Sequence, residues 1–161
     1  MRPRLAHVAV LAALASCSGT SPRSGPAPGV DYRTEEPVLE GPLPVVPGGT
    51  LDRMTDDESG SLICEGYRVN GRREGTWRFF HSDGSRHSAA VYENGRRVGV
   101  WYRWYEGTSQ LAERSHWDGT LHGPSEGWYP SGQMRHRGTY SHGNRVGEWL
   151  LWNESGEAVE R

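Results

Sequence analysis

From residue 60 onward, apolar, aromatic and glycine positions recur every 24 residues. Gly71, Gly95, Gly119 and Gly143 form one column, and Gly75, Gly99, Gly123 and Gly147 form another. Trp77, Trp101 and Trp149 share a third, with Ser125 in the remaining place. Phe80, Trp104, Trp128 and Trp152 make a fourth, and Tyr92, His116 and Tyr140 a fifth. Gly84, Gly132 and Gly156 complete the pattern, with Gly107 beside the expected position at Thr108. Columns that agree over this many residues without an insertion are the mark of a tandem repeat. Residues 60–161 hold a little over four units, begun and left in mid-unit.

The columns dictate turns. Asn70, Asn94, Asp118 and His142 each precede a first-column glycine, and such pairs tolerate the positive φ angles of a two-residue hairpin turn. A second turn in each unit reads Ser82-Asp83-Gly84, Pro130-Ser131-Gly132 or Glu154-Ser155-Gly156. Glycine in the third place suits a three-residue loop with a bulge. Two turns per unit leave two strands, so the fold class is all-β. The array is predicted to be an elongated antiparallel β-meander, a single twisted sheet of 24-residue hairpin repeats. Trp77 and Phe80 are three apart, so either both faces carry aromatics or a bulge realigns them.

Upstream the period vanishes. Residues 18–59 hold seven of the ten prolines, with Gly, Ser and acids filling most of the rest. Such a stretch buries too little apolar surface to offset the entropy of ordering. Residues 17–59 are therefore predicted to be a disordered tether, spanning roughly 35 Å as a coil. Residues 1–16 read as a signal peptide: Arg2 and Arg4, then an apolar run from Leu5 to Ala15, too short to span a bilayer. The run ends in Leu14-Ala15-Ser16-Cys17, which resembles the bacterial lipobox. The resemblance implies cleavage before Cys17, lipid attachment there and, with Ser18 following, an outer-membrane location.

The repeat itself carries a second resemblance. Asn70-Gly71-Arg72-Arg73-Glu74-Gly75-Thr76-Trp77 and Asn94-Gly95-Arg96-Arg97-Val98-Gly99-Val100-Trp101 fit G-x-x-x-G-x-W-x-x-[FW], followed by a turn glycine and an aromatic. This resembles the bacterial variant of the MORN repeat. Gly123-Pro124-Ser125 departs from it by lacking the Trp. The resemblance implies an elongated twisted sheet that binds proteins or lipids, and bacterial members carry an antitoxin-like label.

Charge and candidate chemistry refine this picture only in part. The net charge is −2 and every basic residue is Arg, so no global basic field points to nucleic acid. Residues 31–58 carry eight acids against Arg33 and Arg53. Cys64 has no disulfide partner once Cys17 is lipidated, and its repeat equivalents Ser88, Ala112 and His136 mark a small buried position. The six His of the array fall in six different columns, and a two-residue turn at Asp118-Gly119 puts His116 and His122 on opposite faces. No metal site, cofactor or catalytic motif is expected. What the turns leave over is a stripe of Arg72, Arg73, Arg96, Arg97 and Arg145, and the rings of Trp77, Trp101, Trp104, Trp128, Trp149 and Trp152. These are the candidate binding residues, for a protein or envelope polymer, on a chain held to the membrane by its N-terminal acyl chains. An immunity or antitoxin protein and a structural spacer are the alternatives. Replacing Cys17 by Ala is expected to abolish both the lipid-dependent mobility shift and membrane partitioning. Retention of both by Cys17→Ala would refute the anchor.

Overall fold

Asn70, Asn94 and His142 adopt φ angles of 50, 51 and 49°, and the glycine after each is also positive. These are the predicted two-residue turns. The computed structural model describes residues 36–159. Its strands are β1 (Thr50–Thr55), β2 (Leu62–Val69), β3 (Arg72–Phe80), β4 (Arg86–Glu93), β5 (Arg96–Trp104), β6 (Leu111–Asp118), β7 (Leu121–Trp128), β8 (Met134–Ser141) and β9 (Asn144–Leu151). They pair in sequence order as one open, nine-stranded antiparallel sheet. The predicted meander is the observed fold.

One row of side chains crosses the sheet and explains why the units cohere. Trp77 pairs with Ala90, Ala90 with Trp101, Trp101 with Ser115, Ser115 with Ser125, and Ser125 with Gly138. Gly66 and Gly138 close the pattern, because a Cβ on either would collide with the ring of Trp77 or Trp149. The indoles of Trp77 and Trp149 therefore lie flat over a glycine of the neighbouring strand. Trp77 is fully buried and Trp149 nearly so, although among the described residues no second sheet covers this one. The Nε1 of Trp77 donates to the Tyr67 carbonyl at 3.0 Å, and that of Trp149 to the Thr139 carbonyl at 3.3 Å. The hydrogen bond of the indole is thus met within one hairpin, while burial of Trp77 also draws on Ala90 and Tyr92 of the next strand.

The second glycine column is not a turn column. Gly75, Gly99, Gly123 and Gly147 sit within strands at φ of 67, 64, 110 and 64°, next to register shifts in β2–β3, β4–β5, β6–β7 and β8–β9. They are bulge residues, where an extra residue needs a conformation that Gly alone adopts easily. Each of the first three lies opposite an aromatic ring: Tyr92, Trp117 and Tyr140 respectively. The bulge lets a ring fill the space beside the indole. Trp77–Tyr92, Trp101–Trp117 and Tyr140–Trp149 all meet edge to face, with centroids 6.5, 6.4 and 4.9 Å apart. Aromatics also occupy the opposite face, where Tyr102 and Trp104 pack together at 5.8 Å.

The 24-residue frame predicts His116, not Trp117, opposite Gly99. The difference arises because β6 is displaced by one residue. Loops close from His81 N–H to the Ser85 carbonyl, Tyr129 to Gln133 and Asn153 to Glu157, but from Tyr105 to Gln110. That loop holds one residue more. The gain is given back at the next turn, where Asp118 N–H bonds the Thr120 carbonyl and Asp118 takes no positive φ. The slip has a steric reason. Unslipped, Arg114 would stand in the column of Gly66, Ala90 and Gly138, beside an indole. Slipped, Ser115 fills that place with no exposure, and Arg114 turns to the other face opposite Glu126.

The tether is shorter than its composition suggests. Cys17 and the signal segment lie outside the described residues, but Thr50–Thr55, assigned to the tether, forms β1 along β2. The lack of apolar alternation hid it: Leu51 and Met54 are the only large apolar residues in the strand, and both stay exposed. What holds β1 is its backbone ladder, with Arg68 to Asp52 and Arg53 to Glu65 across it. Residues 36–49 also lie against the sheet, with Pro37 buried. Gly66→Ala and Gly138→Ala should each cost about 1–3 kcal/mol through overpacking, lowering the thermal midpoint by several degrees. A melting curve unchanged by both substitutions would remove the indole row as the source of cohesion.

Candidate functional site

The predicted arginine stripe divides into two rows with different roles. The inner residues fold back over the rings. The Cζ of Arg73 lies 4.8 Å from the Trp77 centroid, 5.1 Å from Phe79 and 5.4 Å from Tyr92. Arg97 lies 4.1 Å from Trp117 and 5.6 Å from Trp101, and Arg145 lies 4.3 Å from Trp149. The third unit has Leu121 in the corresponding place, so the row skips one unit. A guanidinium flat on an indole gains about 0.5–1 kcal/mol or more and keeps its N–H edge free for a second partner. The outer residues, Arg72 and Arg96, are exposed. Each lies against the glycine of the next turn, Arg72 over Gly95 and Arg96 over Gly119.

These turns are linked to one another. Gly95, Gly119 and Gly143 N–H groups donate to the carbonyls of Arg73, Arg97 and Leu121 at 2.9, 2.7 and 2.8 Å. The turn edge is therefore a continuous hydrogen-bonded ridge. It fixes the spacing of the arginines at two strands, roughly 10 Å. Among the described residues, ion pairs engage Arg53, Arg68, Arg78, Arg86, Arg103, Arg114 and Arg137. Arg72, Arg73, Arg96, Arg97 and Arg145 have no such carboxylate partner among them.

The six candidate tryptophans differ in exposure. Trp77, Trp104 and Trp149 are buried, and Trp101, Trp128 and Trp152 are half-buried. Indoles seated over small residues of their own sheet are structural first. Trp128 and Trp152 accept hydrogen bonds at their carbonyls from the hydroxyls of Tyr105 and Tyr129, at 2.9 and 3.0 Å, which tie the loop edge. Arg72, Arg96 and Arg145 are the exposed members of the candidate set, with Arg73, Arg97, Trp101, Trp128 and Trp152 half-buried.

Where the third Trp is missing, the aromatic face turns polar. The Glu113 carboxylate accepts from Ser115 Oγ at 3.1 Å, Ser115 and Ser125 share a bond at 3.0 Å, and Ser125 reaches His136 Nε2 at 3.5 Å. His136 lies over Gly127 and stacks on Trp149 at 5.7 Å. Burial, then Arg135, push its pKa below the usual 6.5, with Arg145 acting in the same sense and Glu113 and Glu126 opposing. The two hydroxyls are buried, so the chain Glu113–Ser115–Ser125–His136 fills space and gives no nucleophile access to solvent.

His116 and His122, expected on opposite faces, share one groove of about 330 Å³ with Pro124, Thr139, Tyr140 and Val146. The slip of β6 pairs Trp117 with Leu121 and brings the two together. Among the described residues no group of three or more His, Cys, Asp or Glu is placed to hold a metal ion. Cys64 is buried beside Trp77 in the aromatic cluster, and burial raises its thiol pKa. It is the small interior residue its column implied.

A family model described as the MORN repeat variant matches residues 121–142. That span runs from the start of β7 through β8 to the turn residue His142. No curated protein matches the chain.

Two outcomes follow from the geometry. Arg97→Ala should lower stability by about 0.5–2 kcal/mol, whereas Arg72→Ala, resting on turn backbone alone, should change it by less than about 0.5 kcal/mol. Equal melting points for the two variants would contradict the division into rows. A histidine with a depressed folded pKa stabilises the fold above its unfolded pKa near 6.5, and that contribution is lost as pH falls. His136→Gln should therefore flatten the loss of stability between about pH 7 and 5. An unaltered pH profile in denaturant titrations would exclude His136 as its source.

Proposed function

We propose that the protein is a lipid-anchored component of a bacterial envelope whose MORN-like array is a binding or scaffolding module. The observation that carries this reading is the arginine stripe. Five guanidinium groups stand along one hydrogen-bonded ridge, three of them stacked on rings, without carboxylate partners among the described residues. Groups held rigid in this way lose little entropy on meeting a carboxylate or phosphate. The matched repeat variant is consistent with a module that acts by binding, and the open sheet offers a long surface in place of a deep pocket.

The N-terminal lipobox-like sequence supports the anchor, with an acylated Cys17 tethering the array at the outer membrane. The ligand of the ridge is an acidic protein or an anionic envelope polymer. The full-length protein, cross-linked in the envelope and recovered, should bring down one partner that is lost on combined Arg72→Glu and Arg96→Glu exchange. These two residues are exposed, so the fold should survive, and circular dichroism would verify that it does. If recovered partners are indifferent to the exchange, the ridge is not the binding surface and the spacer reading takes its place. A partner that is toxic when expressed alone would select the immunity reading.

A further inference from the structure

The face opposite the arginine stripe already holds a peptide, and that peptide is part of the chain. Residues 36–41, Glu-Pro-Val-Leu-Glu-Gly, run from β6 toward β3. Val38 N–H donates to Thr76 Oγ1 at 3.2 Å. Arg78 Nη1 donates to the carbonyls of Leu39 at 3.3 Å and Gly41 at 3.0 Å. Arg86 pairs with Glu40 and Arg114 with Glu36, and burial, with the Glu36 carboxylate nearby, raises the Tyr102 pKa. Pro37 is buried. Farther along, Val46 closes over Gly75.

We infer that Thr76, Arg78, Arg86, Tyr102 and Arg114 form a recognition site for extended, acidic, proline-containing peptides, occupied here in cis by residues 36–41 and open to a partner's segment of the same chemistry. The contacts are of three kinds, and each reads something different. Thr76 and Arg78 read main chain, which leaves the side chains at 38 and 39 unspecified, while the φ of 72° at Gly41 favours glycine there. The site for Pro37 reads one apolar ring with a preset backbone. Arg86 and Arg114 read carboxylates three residues to one side of the proline and directly to the other. The implied consensus is Glu-Pro-x-x-Glu.

Arg78 sets the hierarchy. Its side chain is only 12% exposed and is oriented by Glu65, which is 6% exposed, at 2.6 Å. The donor is thus fixed before any peptide arrives. Glu40 is 80% exposed, and pairs of this kind contribute little affinity but steer encounter. A segment tethered to its own site competes at an effective concentration of order millimolar. A partner peptide must therefore either bind more tightly or meet a chain whose strap is weakened. This site lies on the other face from the arginine ridge and stands whether or not the ridge binds anything.

The test uses the full chain and a labelled synthetic peptide copying residues 34–45. A strap-weakened variant, combining Glu36→Arg, Pro37→Ser and Glu40→Arg, should bind the peptide at least tenfold more tightly than the unaltered protein. Adding Arg78→Ala should remove that binding, while adding Arg72→Ala should not. In the unaltered protein, millimolar peptide should accelerate amide exchange at Val38, a readout that does not depend on the variant folding. Equal peptide affinity in both proteins, or no binding to a weakened variant that keeps its β-sheet dichroism, overturns the site. So does amide exchange at Val38 that is indifferent to peptide. A concentration-dependent dimer that the peptide dissociates would put a second copy's strap in the site and overturn the assignment to a partner.

Discussion

The close approach of an indole to a residue without a side chain of any size is the contact on which this molecule rests. A single-layer sheet has no opposing layer to cover its apolar side chains, and a lone hairpin is marginal in water. Here the sheet covers itself. Trp77 over Gly66 and Trp149 over Gly138 lie flat instead of standing up, which buries most of each ring against its own backbone. Bulge glycines admit an edge-on ring beside each indole, and an arginine closes the top in three of the four units. Removal of any one element uncovers the others, so Gly, Trp and Arg columns recur together for one reason.

That logic was legible in the sequence only where a column maps to one local conformation. Asn70, Asn94 and His142 were readable as turn residues because positive φ restricts identity so strongly. Asp118 was read the same way and does not take that conformation. Whether a column stays in frame depends on what lies across from it, and Arg114 beside an indole is a conflict visible only once pairing is known. The signal was present in Gly107, one place ahead of its column. Likewise β1 and the strap at residues 36–41 were hidden by proline and acid content. Composition reports how much apolar surface a segment brings, but this segment is held by main-chain hydrogen bonds and by arginines belonging to the array.

The candidate site was half legible. The register of Arg73, Arg97 and Arg145 could be counted from the repeat, but their stacking on rings could not, since the bulge at each second-column glycine decides which face they join. Which rings meet solvent was left open by the repeat, because in a sheet the exposure of an aromatic column depends on the bulges and on the residue it covers across the strand. The sheet presents guanidinium edges along one ridge and a peptide-bearing surface on the other side. The two faces thus differ in chemistry: one carries a row of cations, the other is covered in part by an acidic segment of the same chain.

The one-residue displacement of β6 has a consequence beyond fitting Arg114. A perfectly periodic ladder is translationally degenerate: a strand can pair with the wrong unit and satisfy nearly all the same contacts, and such mispairings trap repeat arrays during folding. A single dislocation lifts that degeneracy. The six-residue closure at Tyr105–Gln110 and the tightened return at Asp118–Thr120 set β6 out of phase with the other strands of its kind, so its place between β5 and β7 is distinguished from the other repeat positions. The fault behaves as a phase marker, giving an otherwise uniform lattice an origin from which every other strand can be counted.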